Sequence, residues 1–129
     1  MDWNPQKITA RLSAGVTIID VPREFDLSRA GEMRSARWEA LRHGAPIVVD
    51  LTGCEFLDPT GMMVVISTYE QAREAGLPFA LAGSGLLPKK VLNLVGMDRA
   101  VPYFPSLDEA TNHVRVAWAV TRRNRVRRG

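Results

Sequence analysis

Asp58, Pro59, Thr60 and Gly61 bring together residue types from which chemistry is often built: a carboxylate, a hydroxyl two positions on, and a glycine that allows close approach. Cys54 lies just upstream, and the two imidazoles of the chain are His43 and His113. A nucleophile activated by a base would need one of those histidines beside Thr60, and neither neighbours it in sequence. No GxxxxGK[ST] or GxGxxG string is present, and the Gly-Ser-Gly at 83–85 is too short to cradle a phosphate. A metal would have to draw on Asp26, Asp58 and the histidines, which lack any diagnostic spacing. Cys54 is the only cysteine, so no disulfide forms within the chain; beside an apolar strand end it reads as a small packed residue rather than a reactive thiol. The expectation is a protein without catalytic residues, metal or cofactor.

What remains for the segment is position. Asp58 or Thr60 can accept hydrogen bonds from the first-turn amides of a helix, and proline's fixed φ suits the first helical position. That structural reading leaves unexplained the acidic approach CEFLD and a first turn carrying a hydroxyl, Gly61, Met62 and Met63. A helix N-terminus favours anions, including a phosphate on a hydroxyl there, and methionines beside a glycine make a surface that a partner can approach and repack. A helix cap and a partner-facing surface both fit these residues.

The elements needed to position the segment are legible from patterning. Residues 7–13 alternate with Ile8, Ala10 and Leu12 on one side, and VTIIDV follows after Ala14-Gly15, which predicts paired strands. Residues 28–42 place Met33, Ala36, Ala40 and Leu41 at helical spacing after a capping Asp26 or Ser28. PIVVDL at 46–51 is a continuous apolar run, expected of a strand covered on both faces. A second helix is predicted over 60–75 with Met63, Val64, Ser67, Tyr69 and Ala72 on its periodic face, then a strand over 79–82 and a short helix over 86–95. A brief extended piece at 101–104 precedes a helix opened by Ser106 and Glu109 and ending near Ala119. Strands separated by helices imply right-handed crossovers and a mainly parallel sheet, with functional groups beyond the carboxyl ends of strands.

Composition agrees with one α/β domain over residues 1–129: apolar residues make up 46% and charged ones 24%. The absence of a long apolar run or a signal-like start points to a soluble cytoplasmic protein with no membrane partner. Net charge is +3, yet five arginines fall in the last nine residues, and without them twelve basic residues face fourteen acidic ones. The basic character therefore belongs to a tail from about residue 121, expected as a solvated end, and a nucleic-acid-binding face is not implied. Trp38 and Trp118 read as core or half-buried anchors, and Trp3 as a loose end.

The motifs taken in order resemble the STAS domain of bacterial anti-sigma factor antagonists. They are Asp50-Leu51 at a strand end, Phe56-Leu57-Asp58, the helix start Thr60-Gly61, a helix and turn over 92–97, and Ser106 to Ala110; Glu24 and Asp26 match an early acidic segment. The resemblance implies a four- or five-stranded mixed sheet with about four helices packed on one side. It also implies partner switching: the unmodified antagonist binds an anti-sigma factor that is a GHKL-type serine kinase, phosphorylation at this helix start blocks binding, and a phosphatase restores it. The residues so implied are Asp26, Asp58, Pro59, Thr60, Gly61 and Met62. One position departs from the pattern, because the acceptor hydroxyl should directly follow the motif aspartate, where this chain has Pro59. Thr60 is the remaining acceptor, about 100° further round the helix. A small-ligand or nucleotide sensor of the same fold, and nucleic-acid binding through the arginine tail, are the alternative functions.

Overall fold

The computed structural model describes residues 7–128, so Trp3 lies outside the described residues. β1 (Thr9–Ser13) and β2 (Val16–Asp20) form the expected antiparallel hairpin. Its two-residue turn has Ala14 at φ 49° and Gly15 at φ 81°, the left-handed pair a tight hairpin needs. The sheet continues with β4 (Ile47–Leu51), β6 (Phe79–Gly83) and β7 (Tyr103–Phe104) in the order β1-β2-β4-β6-β7, every pair after the first being parallel. The helices are α1 (Ala30–His43), α2 (Pro59–Glu74), α3 (Leu87–Leu94) and α4 (Leu107–Arg128).

Period-two alternation in β4 sorts the core into two layers. Ile47, Val49 and Leu51 join a cluster with Met33, Ala36 and Ala40 of α1, Met62, Val65 and Ile66 of α2, and Val91 and Leu92 of α3. Val48 points the other way and meets Val16, Ile18, Ala80, Ala82, and Ala110 and Val114 of α4. Helices therefore cover both faces, three on one and α4 on the other, which corrects the one-sided arrangement implied by the resemblance. The continuous apolar run of β4 was the better guide.

Two further expectations are revised. Trp38 is 60% exposed, with the Arg42 guanidinium 4.8 Å over its ring, whereas Trp118 is half-buried against the core. The last helix does not stop near Ala119 but continues through the arginine run to Arg128. At its start Ser106 behaves as expected: the Glu109 N–H donates to Ser106 Oγ at 3.2 Å. Among the described residues, no helix is long and apolar enough to cross a membrane.

Candidate functional site: the start of α2

Two short strands that patterning does not reveal build the site. β3 (Glu24–Phe25) and β5 (Phe56–Leu57) pair in parallel as a separate two-stranded sheet, with Phe25 opposite Leu57. Asp26 and Asp58 are the residues that follow this pair. Both carboxylates turn into caps: Asp26 accepts from the Ser28 N–H at 2.9 Å and from the Ser28 hydroxyl, opening a 3₁₀ turn at Leu27–Arg29. Asp58 accepts from the Gly61 N–H at 2.7 Å and from Thr60 Oγ at 2.9 Å, with Pro59 at the first position of α2.

The predicted residues then divide by burial. Pro59 and Thr60 are exposed, and Asp26 and Asp58 half-buried. Gly61 is buried because the Phe25 ring lies across it; a Cβ there would stand 2.7 Å from Phe25 Cδ1. Met62 is fully buried in the core, and Gly61 is closed over by the Phe25 ring, so among the expected contact residues it is Pro59 and Thr60 that stand at the surface. Met63, placed by periodicity on the inner face, is instead 51% exposed. The two adjacent methionines sit about 100° apart on the helix, and the phase that packs Val65, Ile66 and Ala72 inward sends Met63 out.

Thr60 and Met63 line a groove of about 380 Å³ with Leu27, Arg34, Arg37, Val64 and Ser67. Leu27 is 61% exposed, and Arg37 Nη1 donates to Ser67 Oγ at 3.1 Å. Burial, and then the neighbouring Arg34 charge, push the Arg37 guanidinium below its ordinary range. Leu27, Arg34, Arg37 and Ser67 were missed from sequence. The available signal was Leu27, an apolar residue set inside the polar turn Asp26-Leu27-Ser28-Arg29.

The arrangement offers no activated nucleophile. The partner of the Thr60 hydroxyl is the capping carboxylate of Asp58; His43 Nδ1 lies 3.0 Å from Thr17 Oγ1, and His113 stacks on Phe104 with ring centres 4.8 Å apart. Cys54 is buried, its thiol donates to the Phe56 carbonyl at 3.2 Å, and burial pushes its pKa up. Among the described residues no group of three or more His, Cys, Asp or Glu could hold a metal ion. Ser84, in the Gly-Ser-Gly turn, donates to the Thr52 carbonyl at 2.8 Å. What the site presents is a capped helix start bearing an exposed hydroxyl, flanked by exposed Leu27 and Met63 and by two guanidinium groups.

Comparison with known proteins gives this surface a family. The chain is 26% identical over 114 residues to the anti-sigma-F factor antagonist RsfB of Mycobacterium tuberculosis, covering 86% of this chain and 93% of that one. The crystal structure of an anti-sigma factor antagonist from Mycobacterium paratuberculosis superposes with a TM-score of 0.74 at 29% identity, covering 87% of this chain and 97% of the other. The phosphorylated form of the Bacillus cell fate determinant SpoIIAA shares the fold, with a TM-score of 0.63 at 17% identity and coverage of 83% and 98%. The STAS domain model matches residues 7–110, from the edge of β1 into α4, and takes in the sheet, the β3–β5 pair and the α2 start; the chain belongs to the STAS domain family.

Proposed function

We propose that this protein is a cytoplasmic anti-sigma factor antagonist that docks its partner, a GHKL-type kinase, on the face made by the Leu27 turn and the start of α2. The observation that carries the reading is that exposed Leu27 and Met63 line one groove with Thr60, an apolar lining beside the helix start that a partner can fill. The mycobacterial antagonists at 26% and 29% identity support the class of partner.

Pro59 supports the regulatory half of the proposal. It occupies the exposed first position of α2, where it offers no oxygen to a kinase. Thr60 is displaced along the helix by ~1.5 Å and turned away, and its hydroxyl is held by Asp58. The antagonist therefore binds its kinase irrespective of ATP. The test is incubation of the protein with its anti-sigma kinase and ATP, followed by intact mass and a pull-down. Unchanged mass and retained complex are expected. A single phosphate mapped to Thr60, with release, would show a switch with a shifted acceptor and defeat the permanently binding reading. Absence of any complex would defeat the antagonist reading, and a complex retained undiminished by Leu27→Asp and Met63→Asp would defeat the docking face itself.

A further inference from the structure

The arginine run was expected as a loose solvated end, and the structure makes it the last two turns of α4. Ala110, Thr111 and Val114 of α4 are buried and Thr121 is half-buried, while Arg122, Arg123, Asn124, Arg125 and Val126 are exposed. No acidic residue follows Glu109, so six arginines, at 115, 122, 123, 125, 127 and 128, share 20 residues with no carboxylate among them. Elsewhere four guanidinium groups are ion-paired: Arg11 with Asp20, Arg23 with Glu55, Arg29 with Glu32, Arg42 with Glu39. Arg122, Arg123 and Arg125 make no ion pair with a described residue; Arg125 rests over the Trp118 ring at 6.0 Å.

Arg122 and Arg125 stand three apart on one helix, a spacing at which like charges destabilise. One or two cations would have sufficed for the helix dipole, and a glutamate at i−4 would have stabilised the helix better. An array of this density, all arginine, matches a ligand carrying closely spaced phosphates, which guanidinium groups grip in two-point fashion. An interfacial membrane helix needs a continuous apolar face beside its basic one; α4 exposes the large apolar residues Val116, Val120 and Val126, and only the last of them lies within the arginine run. Without its last nine residues the chain is net acidic, so a polyanion is drawn to the helix end alone.

We infer that the C-terminal end of α4 is a sequence-independent binding site for nucleic acid, contacting the phosphate backbone. It goes beyond the antagonist reading and does not rest on it. Arg125 Nη2 lies 3.4 Å from where a Cβ on Gly76 would be, just before β6 begins, so this end of α4 sits at the amino ends of the parallel strands. Thr60 lies beyond the carboxyl end of β4, on the other helical layer, so nucleic acid and a protein partner can be held at once.

The test is fluorescence anisotropy of a labelled 20-bp DNA duplex with the full chain at 50 and 200 mM NaCl. Three phosphate contacts, about as many arginines as one side of the helix can present, give a slope of log K against log salt near −2.7, hence an affinity loss of about 40-fold between those concentrations. Replacing the arginines at 122, 123, 125, 127 and 128 by glutamine abolishes binding, and replacing them by lysine retains most of it, with circular dichroism confirming that each variant is folded. Vesicles of phosphatidylcholine with 30% phosphatidylglycerol and poly-L-glutamate serve as competitors and bind weakly. No duplex binding at 50 mM salt, binding that survives the glutamine changes, or equal binding of the vesicles or of poly-L-glutamate would overturn the inference.

Discussion

Gly61→Ala is the sharpest test of how the docking face is held. The added Cβ would stand 2.7 Å from Phe25 Cδ1, 3.1 Å from Phe25 Cε1 and 3.1 Å from Asp58 Oδ1. Phe25 is fully buried, so its ring cannot step aside without moving the β3 segment or the core; overpacking of this kind costs ~1–3 kcal/mol. Alanine's better helix propensity, ~1 kcal/mol in a helix interior, returns only a fraction of that in the first turn, where Gly61 sits. The net expectation is a loss of ~1–2 kcal/mol, read as a lower urea midpoint at unchanged slope. Gly31→Ala in α1 is the matched control. Its Cβ would meet only Arg34 Nη2 at 3.7 Å, an ordinary contact, and the expected change is a gain of ~0.4–1 kcal/mol. The same substitution should thus move stability in opposite directions at the two sites. A Gly61→Ala protein as stable as wild type, or both variants shifting the same way, would refute the steric argument.

Asp58→Ala removes the acceptor for the Gly61 amide and the Thr60 hydroxyl and should lower stability by ~0.5–2 kcal/mol in thermal unfolding; an unchanged midpoint would show that the cap is idle. Ala14→Asn, at the non-glycine residue with φ 49°, should raise the unfolding midpoint by a few degrees, because asparagine accepts the left-handed conformation that alanine resists. Burial raises the Cys54 thiol pKa in the folded state, so the unfolded chain ionises first and stability should fall as pH rises past the unfolded thiol's ~8.5. Cys54→Ala should flatten that alkaline decline, leaving a later one at Tyr103, whose pKa burial also raises; equal pH profiles for the two proteins would remove Cys54 as its cause.

The strands and helices that carry a clear period were legible. The run over 46–51 announced a strand buried on both sides, and Asp58-Pro59-Thr60-Gly61 announced a helix start, because cap chemistry is local. What escaped depends on contacts distant in sequence. β3 and β5 hold two residues each, too few to show alternation, and exist only because they find each other across 31 residues. The inward choice of Met62 over Met63 is a matter of helix phase, set by the sheet beneath α2. The extension of α4 was hidden by composition: arginine is a good helix former, but a run of it after the last apolar anchor reads as a tail.

The ring of Phe25 pressed on Gly61 also determines which changes this surface tolerates. Positions 59 and 60 open to solvent, so side chains there can be exchanged without repacking anything beneath them. At position 61 even a methyl group meets the Phe25 ring at 2.7 Å and forces it to shift. A hydroxyl can therefore be gained at position 59 or lost from position 60 by one substitution, and moved between them by two, while the docking framework stays intact, which makes covalent control an adjustable accessory on a surface whose shape is fixed by an aromatic ring and the absence of one methyl group.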